Sequence, residues 1–287
     1  MDIQDKTESP LIVLKVLNNS SVMVGSNQGE KILIGKGIGF GLKPGQLFRE
    51  QPRYEMVFSV EKPEAMSKYQ QLVSQVDQEI LDLCQEVVQL IVRELNEKLD
   101  ENIHVALTDH IQFMLKRLRD GQEISNPFLI EISALYEREF AIADQAIELL
   151  RDKTGLDIPD EETGFIALHI YSARGKASLS QSIKFAFMCN SIAEIVEDAL
   201  GFEIDKKSID YSRFVTHLRF ALQRLMIGKP IKNVLISEIQ SKLAQYYTVA
   251  LEVKKVVDEE LNLEVNEDEV GYIAIHIGRL YEASIHE

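Results

Sequence analysis

Hydrophobic positions along the chain follow two different rhythms. Between Leu11 and Phe58 they form short β-branched and aliphatic runs bounded by Asn, Ser and Gly, which read LIVLKVL, VMVG, KILIG and YEMVFSV. Runs of this length between turn residues predict β-strands joined by tight hairpins. Because about 50 residues rarely make a stable core alone, we expect a second copy of the unit to complete it, and hence a homodimer.

From about Pro63 onward the apolar residues instead recur every three or four positions, which is typical of amphipathic helices. The expected helical segments are 72–91, 103–118, 128–150, 163–173, 183–200, 209–227, 234–260 and 267–281. The stretch from Arg174 to Ser180 is the predicted linker between two helical domains. The predicted architecture is multidomain. A small all-β, antiparallel domain over 1–60 is followed by two tandem all-α helical-bundle domains over 66–175 and 181–287.

An internal repeat relates the two helical domains. The segment HIQFMLKRL, which begins at His110, aligns with HLRFALQRL, which begins at His217, at an offset of 107 residues. At the same offset, ETGFIALHI around His169 aligns with EVGYIAIHI around His276. Each domain therefore has one histidine early and one late, and we expect the two domains to share a common design.

The four repeated histidines admit three interpretations. Each lies on an apolar helical stripe, where a histidine is usually a hydrogen-bonded core or interface residue. A metal site is a second interpretation, since imidazole is a common ligand, but no Cys is nearby and Asp109 is the only obvious carboxylate neighbour. The third is chemistry at the ring nitrogen, because a neutral histidine is a good nucleophile and proton carrier near pH 7.

The net charge becomes informative only when it is counted separately for the two parts of the chain. The 287 residues carry a net charge of −15, which taken alone argues against a nucleic-acid partner. Residues 11–45, however, contain four lysines and one acidic residue, whereas residues 59–287 contain 24 basic and 40 acidic residues. A basic β domain that can bind nucleic acid therefore precedes an acidic helical part.

Composition also indicates where in the cell the protein is located. It begins with an acidic and polar segment, and no apolar run approaches the roughly 18 residues of a membrane span. We therefore expect a cytoplasmic protein without membrane insertion. The two cysteines, Cys84 and Cys189, lie in apolar helical surroundings and are expected to be buried as small hydrophobic side chains.

No enzyme motif is present in the sequence. The glycine-rich stretch from Gly35 to Gly41 lacks the spacing and the Ser or Thr of a phosphate-binding loop, and neither GxSxG nor HExxH occurs. We therefore expect no catalytic residue and no cofactor. The stretch instead offers Lys36 for phosphate and Phe40 for stacking on a base, unless Phe40 is sheet core and the glycines merely bend the strands.

Several motifs together resemble the BglG/LicT family of bacterial transcription antiterminators. They are KVLNNS and GEKILIGKGIGF, followed by LTDHI, GFIALHI, RFVTHLRFALQRL and GYIAIHI, and the resemblance runs from about Leu11 to Arg279. The segments HVALTDHIQF and ISNPFLIE are most similar to the glucose-type branch. The resemblance implies a co-antiterminator RNA-binding domain followed by two phosphotransferase-system regulation domains.

The resemblance further implies that a dimer of the β domain binds a hairpin in the leader mRNA and excludes an overlapping terminator. The implied RNA contacts are Lys15, Asn18, Asn19, Ser20, Gly35, Lys36 and Phe40. Ser20 departs from the third asparagine that is usual in the family. A serine keeps a hydroxyl but lacks the amide group that reads a base edge, so its contact with RNA is in question.

By the same resemblance, the acceptors of phosphoryl groups are His110, His169, His217 and His276. The donors are the phosphocarrier protein and a sugar-specific enzyme II of the phosphotransferase system. Modification of the first domain is implied to inhibit, and modification of the second can activate. Arg117 and Arg224, each seven residues after an early histidine, are either receivers of the phosphoryl charge or part of a solvated face.

Two other functions compete with this one. The first is a regulator with the same helical domains that acts by protein–protein contacts without RNA binding, so that its β domain only dimerises. The second is a metal-dependent hydrolase that uses His110 and His169. Neither accounts for the basic charge of the β domain.

Overall fold

The computed structural model describes residues 10–27, 29–49, 56–229 and 231–286. Its first part is an antiparallel sheet in the order β1-β2-β3-β4. The strands are β1 (Ile12–Asn18), β2 (Ser21–Ser26), β3 (Gly29–Ile34) and β4 (Phe58–Val60). The predicted all-β start is confirmed. Tyr54 and Glu55 of the last predicted strand, and residues 1–9 of the predicted β domain, lie outside the described residues.

The register of the first hairpin explains the short turn between its strands. Asn18 pairs with Ser21, so only Asn19 and Ser20 connect β1 to β2. Both faces of the sheet are buried around its centre, which is why the second half of β3, residues 32–34, is a continuous apolar run. One face packs around Val13, Val22, Val24, Leu33 and Ile38, and the other contains Ile32, Ile34 and Val60.

The first helix, α1 (Pro63–Val73), covers the second face of the sheet. It begins with a proline at its first turn, where the missing N–H is not needed. Its Ala65 and Tyr69 pack against the sheet residues of that face. The chain itself therefore closes this part of the core, and the homodimer stays a prediction.

The remaining helices reproduce the duplication. They are α2 (Gln78–Leu95), α3 (Ile103–Arg119), α4 (Leu129–Leu135), α5 (Glu137–Thr154), α6 (Glu161–Ala173), α7 (Leu179–Leu200), α8 (Ile209–Met226), α9 (Ile236–Lys242), α10 (Ala244–Leu261) and α11 (Glu267–His286). The bounds of α9 and α10 are those of α4 and α5 shifted by the repeat offset of 107 residues. The all-α prediction for this part is confirmed.

Three predicted helical segments were too long. Segment 128–150 is two helices separated at Tyr136, and segment 234–260 is two helices separated at Leu243, where the backbone leaves helical geometry at φ −130° and −118°. Segment 72–91 is likewise divided between α1 and α2 by residues 74–77. Neither Gly nor Pro marks these breaks. The apolar periodicity continues across them because the helices on either side each bury an apolar face.

The described residues form two compact units. One contains residues 10–125 and 141–176, and the other contains residues 126–140 and 177–286. Helix α4, which the predicted boundaries place in the first helical domain, packs against α7 and α8 within the second unit. Across the described ranges, no helix is both long enough and apolar enough to cross a membrane.

Candidate nucleic-acid interface and histidine pairs

Two loops at one end of the sheet form a single polar edge. Its residues are Asn18, Asn19, Ser20, Gly35, Lys36 and Phe40. The backbone N–H of Gly35 donates to the carbonyl of Ser20 at 2.9 Å, and that of Gly39 donates to the carbonyl of Asn19 at 2.9 Å. The Oδ1 atom of Asn18 accepts from the backbone N–H of Ser20 at 2.8 Å and so holds the turn. The hairpin turn and the glycine-rich loop are thereby fixed side by side.

Gly39 makes this close approach possible. A Cβ atom at this position would clash with the carbonyl oxygen of Asn18. A glycine is therefore required because the backbones of the two loops approach too closely for any side chain. The glycine-rich stretch allows the two loops of the polar edge to pack together. Its glycine content is therefore explained without invoking a phosphate-binding loop.

The structure separates the predicted RNA contacts by exposure. Lys15, Asn19, Lys36 and Phe40 are exposed, Asn18 is half-buried, and Ser20 and Gly35 are buried. Phe40 is 68% exposed, so the alternative that it belongs to the sheet core is wrong. Lys15 lies on β1, four residues before Asn19 of the hairpin turn.

Ser20 is only 1% exposed because α2 covers it. Its hydroxyl donates to Oδ1 of Asp82, and its carbonyl accepts from Nε2 of Gln85 at 3.3 Å. The neighbouring Nζ of Lys36 lies 2.7 Å from Oε1 of Glu86. Sequence analysis missed this contact between α2 and the polar edge. The signal in the sequence is the spacing of Asp82, Gln85 and Glu86, which places all three on one face of a helix.

Glu86 is held by two lysines. Its carboxylate accepts from Nζ of Lys36 at 2.7 Å and from Nζ of Lys153, on α5, at 2.6 Å. Burial alone would raise the pKa of Glu86, but the hydrogen bonds from Lys153 and Lys36 outweigh it and hold the pKa below its ordinary value. The helix therefore presents an ionised carboxylate to the polar edge at neutral pH.

The first histidine pair is formed by His110 on α3 and His169 on α6. The ring centroids are 5.0 Å apart, and Nε2 of His110 lies 2.8 Å from Oε2 of Glu162, which is only 2% exposed on its side chain. Burial, reinforced by the charge of His110, lowers the pKa of His169 to about 3. The ring of His169 is therefore neutral at pH 7 and its nitrogen lone pair is available.

The second pair is formed by His217 on α8 and His276 on α11. Their rings stack at 3.9 Å between centroids with an angle of 20°. Burial lowers the pKa of His276 to about 4, and the charges of His217 and Arg279 contribute. The pKa of His217 is also lowered, by burial and by the charges of Arg279 and Arg224. A cavity of about 340 Å³, lined by both rings and by Arg224, opens beside the pair.

The arginines predicted to receive phosphoryl charge differ between the domains. Arg224 donates through Nε and Nη2 to the two carboxylate oxygens of Glu269, at 2.8 and 2.6 Å, and this raises the pKa of Arg224. Arg117, at the equivalent position, instead donates to the backbone carbonyl of Glu123 at 2.9 Å. The first pair therefore lies against a carboxylate, whereas the second lies beside an arginine.

Arg279 adds a second cation near the second pair, and sequence analysis missed it. The repeat offset places Ser172 at the equivalent position in the first domain. Arg279 was missed because only the residues shared by the two repeats were considered.

The described ranges contain no group of three His, Cys, Asp or Glu side chains placed to hold a metal ion. The interpretation of His110 and His169 as ligands of a hydrolytic metal therefore has no ligand set in this part of the chain. Cys84 and Cys189 are both buried and free, as expected, and burial raises the pKa of each thiol to about 12.

Comparison with known proteins places these features in a family. The CAT RNA binding domain matches residues 11–67, and the PRD domain matches residues 85–173 and 190–280. Protein GlcT of Staphylococcus haemolyticus (strain JCSC1435) is 35% identical over 267 residues, which is 92% of this chain and 94% of that protein. Transcription antiterminator LicT of Bacillus subtilis (strain 168) is 32% identical over 272 residues, covering 93% and 98%.

A solved structure shows the same fold for the first part. The crystal structure of GlcT CAT-PRDI matches with a TM-score of 0.55 and 39% identity, over 57% of this chain and 98% of that one. The sheet, the tandem helical repeats and the matches along nearly the whole length agree. The chain belongs to the family of transcription antiterminators that join a CAT RNA-binding domain to two PRD domains.

Proposed function

We propose that this chain binds a hairpin in a leader mRNA through its polar edge and thereby prevents an overlapping terminator from forming. The observation that carries the proposal is the match of the RNA-binding domain to residues 11–67, a range that contains the whole edge. Lys36 offers a cation for the phosphate backbone, and the exposed ring of Phe40 offers a stacking surface for an unpaired base. Binding RNA in this way needs no catalytic step and no cofactor, and it takes place in the cytoplasm.

The proposal includes a homodimer. Ile12, Leu14 and Leu47 are exposed apolar side chains on the described part of the β domain. Ile12 forms an isolated bridge with Leu47, so these side chains lie close together. A second copy packed on them would remove apolar surface from water, which supports dimerisation.

Substitution of the two exposed side chains tests the RNA contact. The probe is a terminator-overlapping hairpin located upstream of this gene or of a neighbouring sugar-permease gene, transcribed in vitro and hereafter called the leader probe. We expect Phe40→Ala to weaken binding about tenfold, since one stacked base contributes about 1–3 kcal/mol. Lys36→Ala should also weaken it, because a phosphate contact is lost.

Matched controls for these variants are Phe113→Ala and Lys43→Ala, which remove an exposed aromatic and an exposed lysine elsewhere. Gel-shift titration at one fixed salt concentration measures all four variants. Unchanged affinity in the Lys36 and Phe40 variants would remove the polar edge from the RNA-binding site.

We also infer that His110, His169, His217 and His276 accept phosphoryl groups from the phosphocarrier protein and a sugar-specific enzyme II. The lowered pKa values of His169, His217 and His276 support this, because neutral rings have a nucleophilic lone pair. A phosphoryl group adds roughly −1.5 to −2 charges.

The two pairs should respond differently to that charge. Beside His110 it meets the carboxylate of Glu162, which is repulsive. Beside His217 and His276 it meets Arg224 and Arg279, which can donate charge-assisted hydrogen bonds to phosphate oxygens. This asymmetry supports inhibition through the first domain and activation through the second.

Mass spectrometry after incubation with a reconstituted phosphotransfer chain tests the modification. We expect acid-labile phosphate on at least one of the four histidines and none on His104, whose ring is buried against Phe58 and Tyr69 and serves as an internal control. A chain without phosphate on any of the four would refute the regulatory part of the proposal.

A further inference from the structure

One face of α2 covers part of the polar edge: Ser20 is buried beneath the helix, whereas Asn19 and Phe40 stay exposed. That face consists of Gln78, Asp82, Gln85 and Glu86, which are spaced so that they project from the same side of the helix. We call it the α2 cover. Resting on the proposed function, we propose that the α2 cover is an intramolecular mask that competes with RNA for the polar edge.

The cover occupies the hydrogen-bonding groups of Ser20. Asp82 accepts from its hydroxyl, Gln78 donates to the same hydroxyl at 3.2 Å, and Gln85 donates to its carbonyl at 3.3 Å. Because each of these groups can serve a base edge only when it is released, RNA cannot use Ser20 while the cover is in place.

The cover also opposes RNA through its charge. Glu86 pairs with Lys36 at 2.7 Å, and Asp82 lies next to the hairpin turn. A phosphate group bound by Lys36 would compete with the Glu86 carboxylate and would meet the remaining negative charge of α2. Like charges at this separation repel, so the carboxylates of the α2 cover disfavour binding of an RNA backbone at Lys36.

Two features of the contact between the α2 cover and the polar edge favour its opening. The contact is made by polar and charged side chains, and one buried polar atom of the cover, Oε1 of Gln85, has no hydrogen-bond partner among the residues described. The same is true of Nδ2 of Asn18 in the adjoining turn. Unsatisfied buried groups disfavour the closed arrangement. If the α2 cover is in place in about 90 to 99% of the molecules, the apparent dissociation constant for RNA is raised about 10- to 100-fold.

Removing the two carboxylates of the cover tests the mask. In the full chain, Asp82→Ala with Glu86→Ala should tighten binding of the leader probe about tenfold or more, because the competing contact is lost. The matched control is Glu79→Ala with Glu94→Ala, which removes the same charge from exposed positions of the same helix. Equal tightening in both pairs would show a general charge effect, and no tightening in the first pair would equally overturn the mask.

A reversible cross-link gives an independent measurement. Ser20→Cys with Asp82→Cys places two thiols where the hydroxyl and carboxylate now meet. We expect an intramolecular disulfide under oxidant and at least tenfold weaker binding of the leader probe than by the same protein after reduction. If the disulfide does not form, or if the oxidised protein binds as tightly as the reduced one, the mask is refuted.

The two proposals fail in different ways. If no variant and no wild-type protein binds the leader probe, RNA binding itself is refuted and the mask with it. If the wild-type protein binds and neither the alanine pair nor the cross-link changes its affinity, only the mask is refuted.

Discussion

Two carboxylates at equivalent positions of the duplication serve different partners. Glu162 bonds to the ring of His110, whereas Glu269 is fully buried and forms a two-point pair with Arg224. The difference follows from one arginine, because Arg117 bonds to a backbone carbonyl and does not reach Glu162 in the manner of Arg224. The same motif thus gives one histidine pair a negative neighbour and the other a positive one.

This contrast predicts unequal costs of neutralising the two carboxylates. Glu269→Gln leaves the guanidinium of Arg224 without its anion and should lower the free energy of unfolding by about 2 kcal/mol. Glu162→Gln should cost less than about 1 kcal/mol, because an amide oxygen can still accept from the ring of His110. Urea unfolding followed by circular dichroism compares them, and equal losses would contradict the assigned pairings.

At the scale of helices and strands, the sequence predicts elements that follow from a local pattern, but it does not predict contacts between residues far apart in the chain. Alternating runs and turn residues predict the sheet, and apolar periodicity with the 107-residue repeat predicts the helical domains. The breaks at Tyr136 and Leu243 were not predictable from periodicity, because no residue there disfavours a helix strongly. The contact between Ser20 and Asp82 joins residues 62 positions apart, and neither local pattern nor repeat reports such a distance.

The packing of β4 against the first helices predicts a pH dependence. His104 of α3 lies 4.8 Å from the ring of Phe58 on β4, between ring centroids, and burial lowers its pKa to about 4 from an ordinary 6.5. Between these values the unfolded chain binds more protons than the folded one, so stability is fully present above pH 6.5 and falls as the pH drops towards 4. The pKa shift of one such histidine corresponds to about 3 kcal/mol in the free energy of unfolding.

His104→Leu removes this titrating group and keeps an apolar side chain in the core. We expect the free energy of unfolding of the variant to fall less steeply between pH 6.5 and 4.5 than that of the wild-type chain. The two other strongly shifted rings, His169 and His276, remain in both proteins and contribute the same slope to each. Parallel pH profiles would show that His104 is not buried as a neutral ring in solution.

At the scale of the whole molecule, the net charge of −15 combines a small basic β domain with an acidic helical part. The structure brings the two signs together within one compact unit, where Glu86 of α2 neutralises Lys36 of the polar edge. Negative charge therefore acts twice in this account. Carboxylates occupy the edge when RNA is absent, and phosphoryl groups on histidine alter the charge of the domains that carry them.

Transcription through the leader tests the central claim most directly. RNA polymerase is supplied in vitro with a template that carries the leader hairpin and its overlapping terminator, and the fraction of transcripts that pass the terminator is measured with increasing amounts of the chain. We expect that fraction to rise with the wild-type chain and to stay at the protein-free level with Lys36→Ala combined with Phe40→Ala. Termination that is unchanged by the wild-type chain, or relieved equally by the double variant, would contradict antitermination through the polar edge.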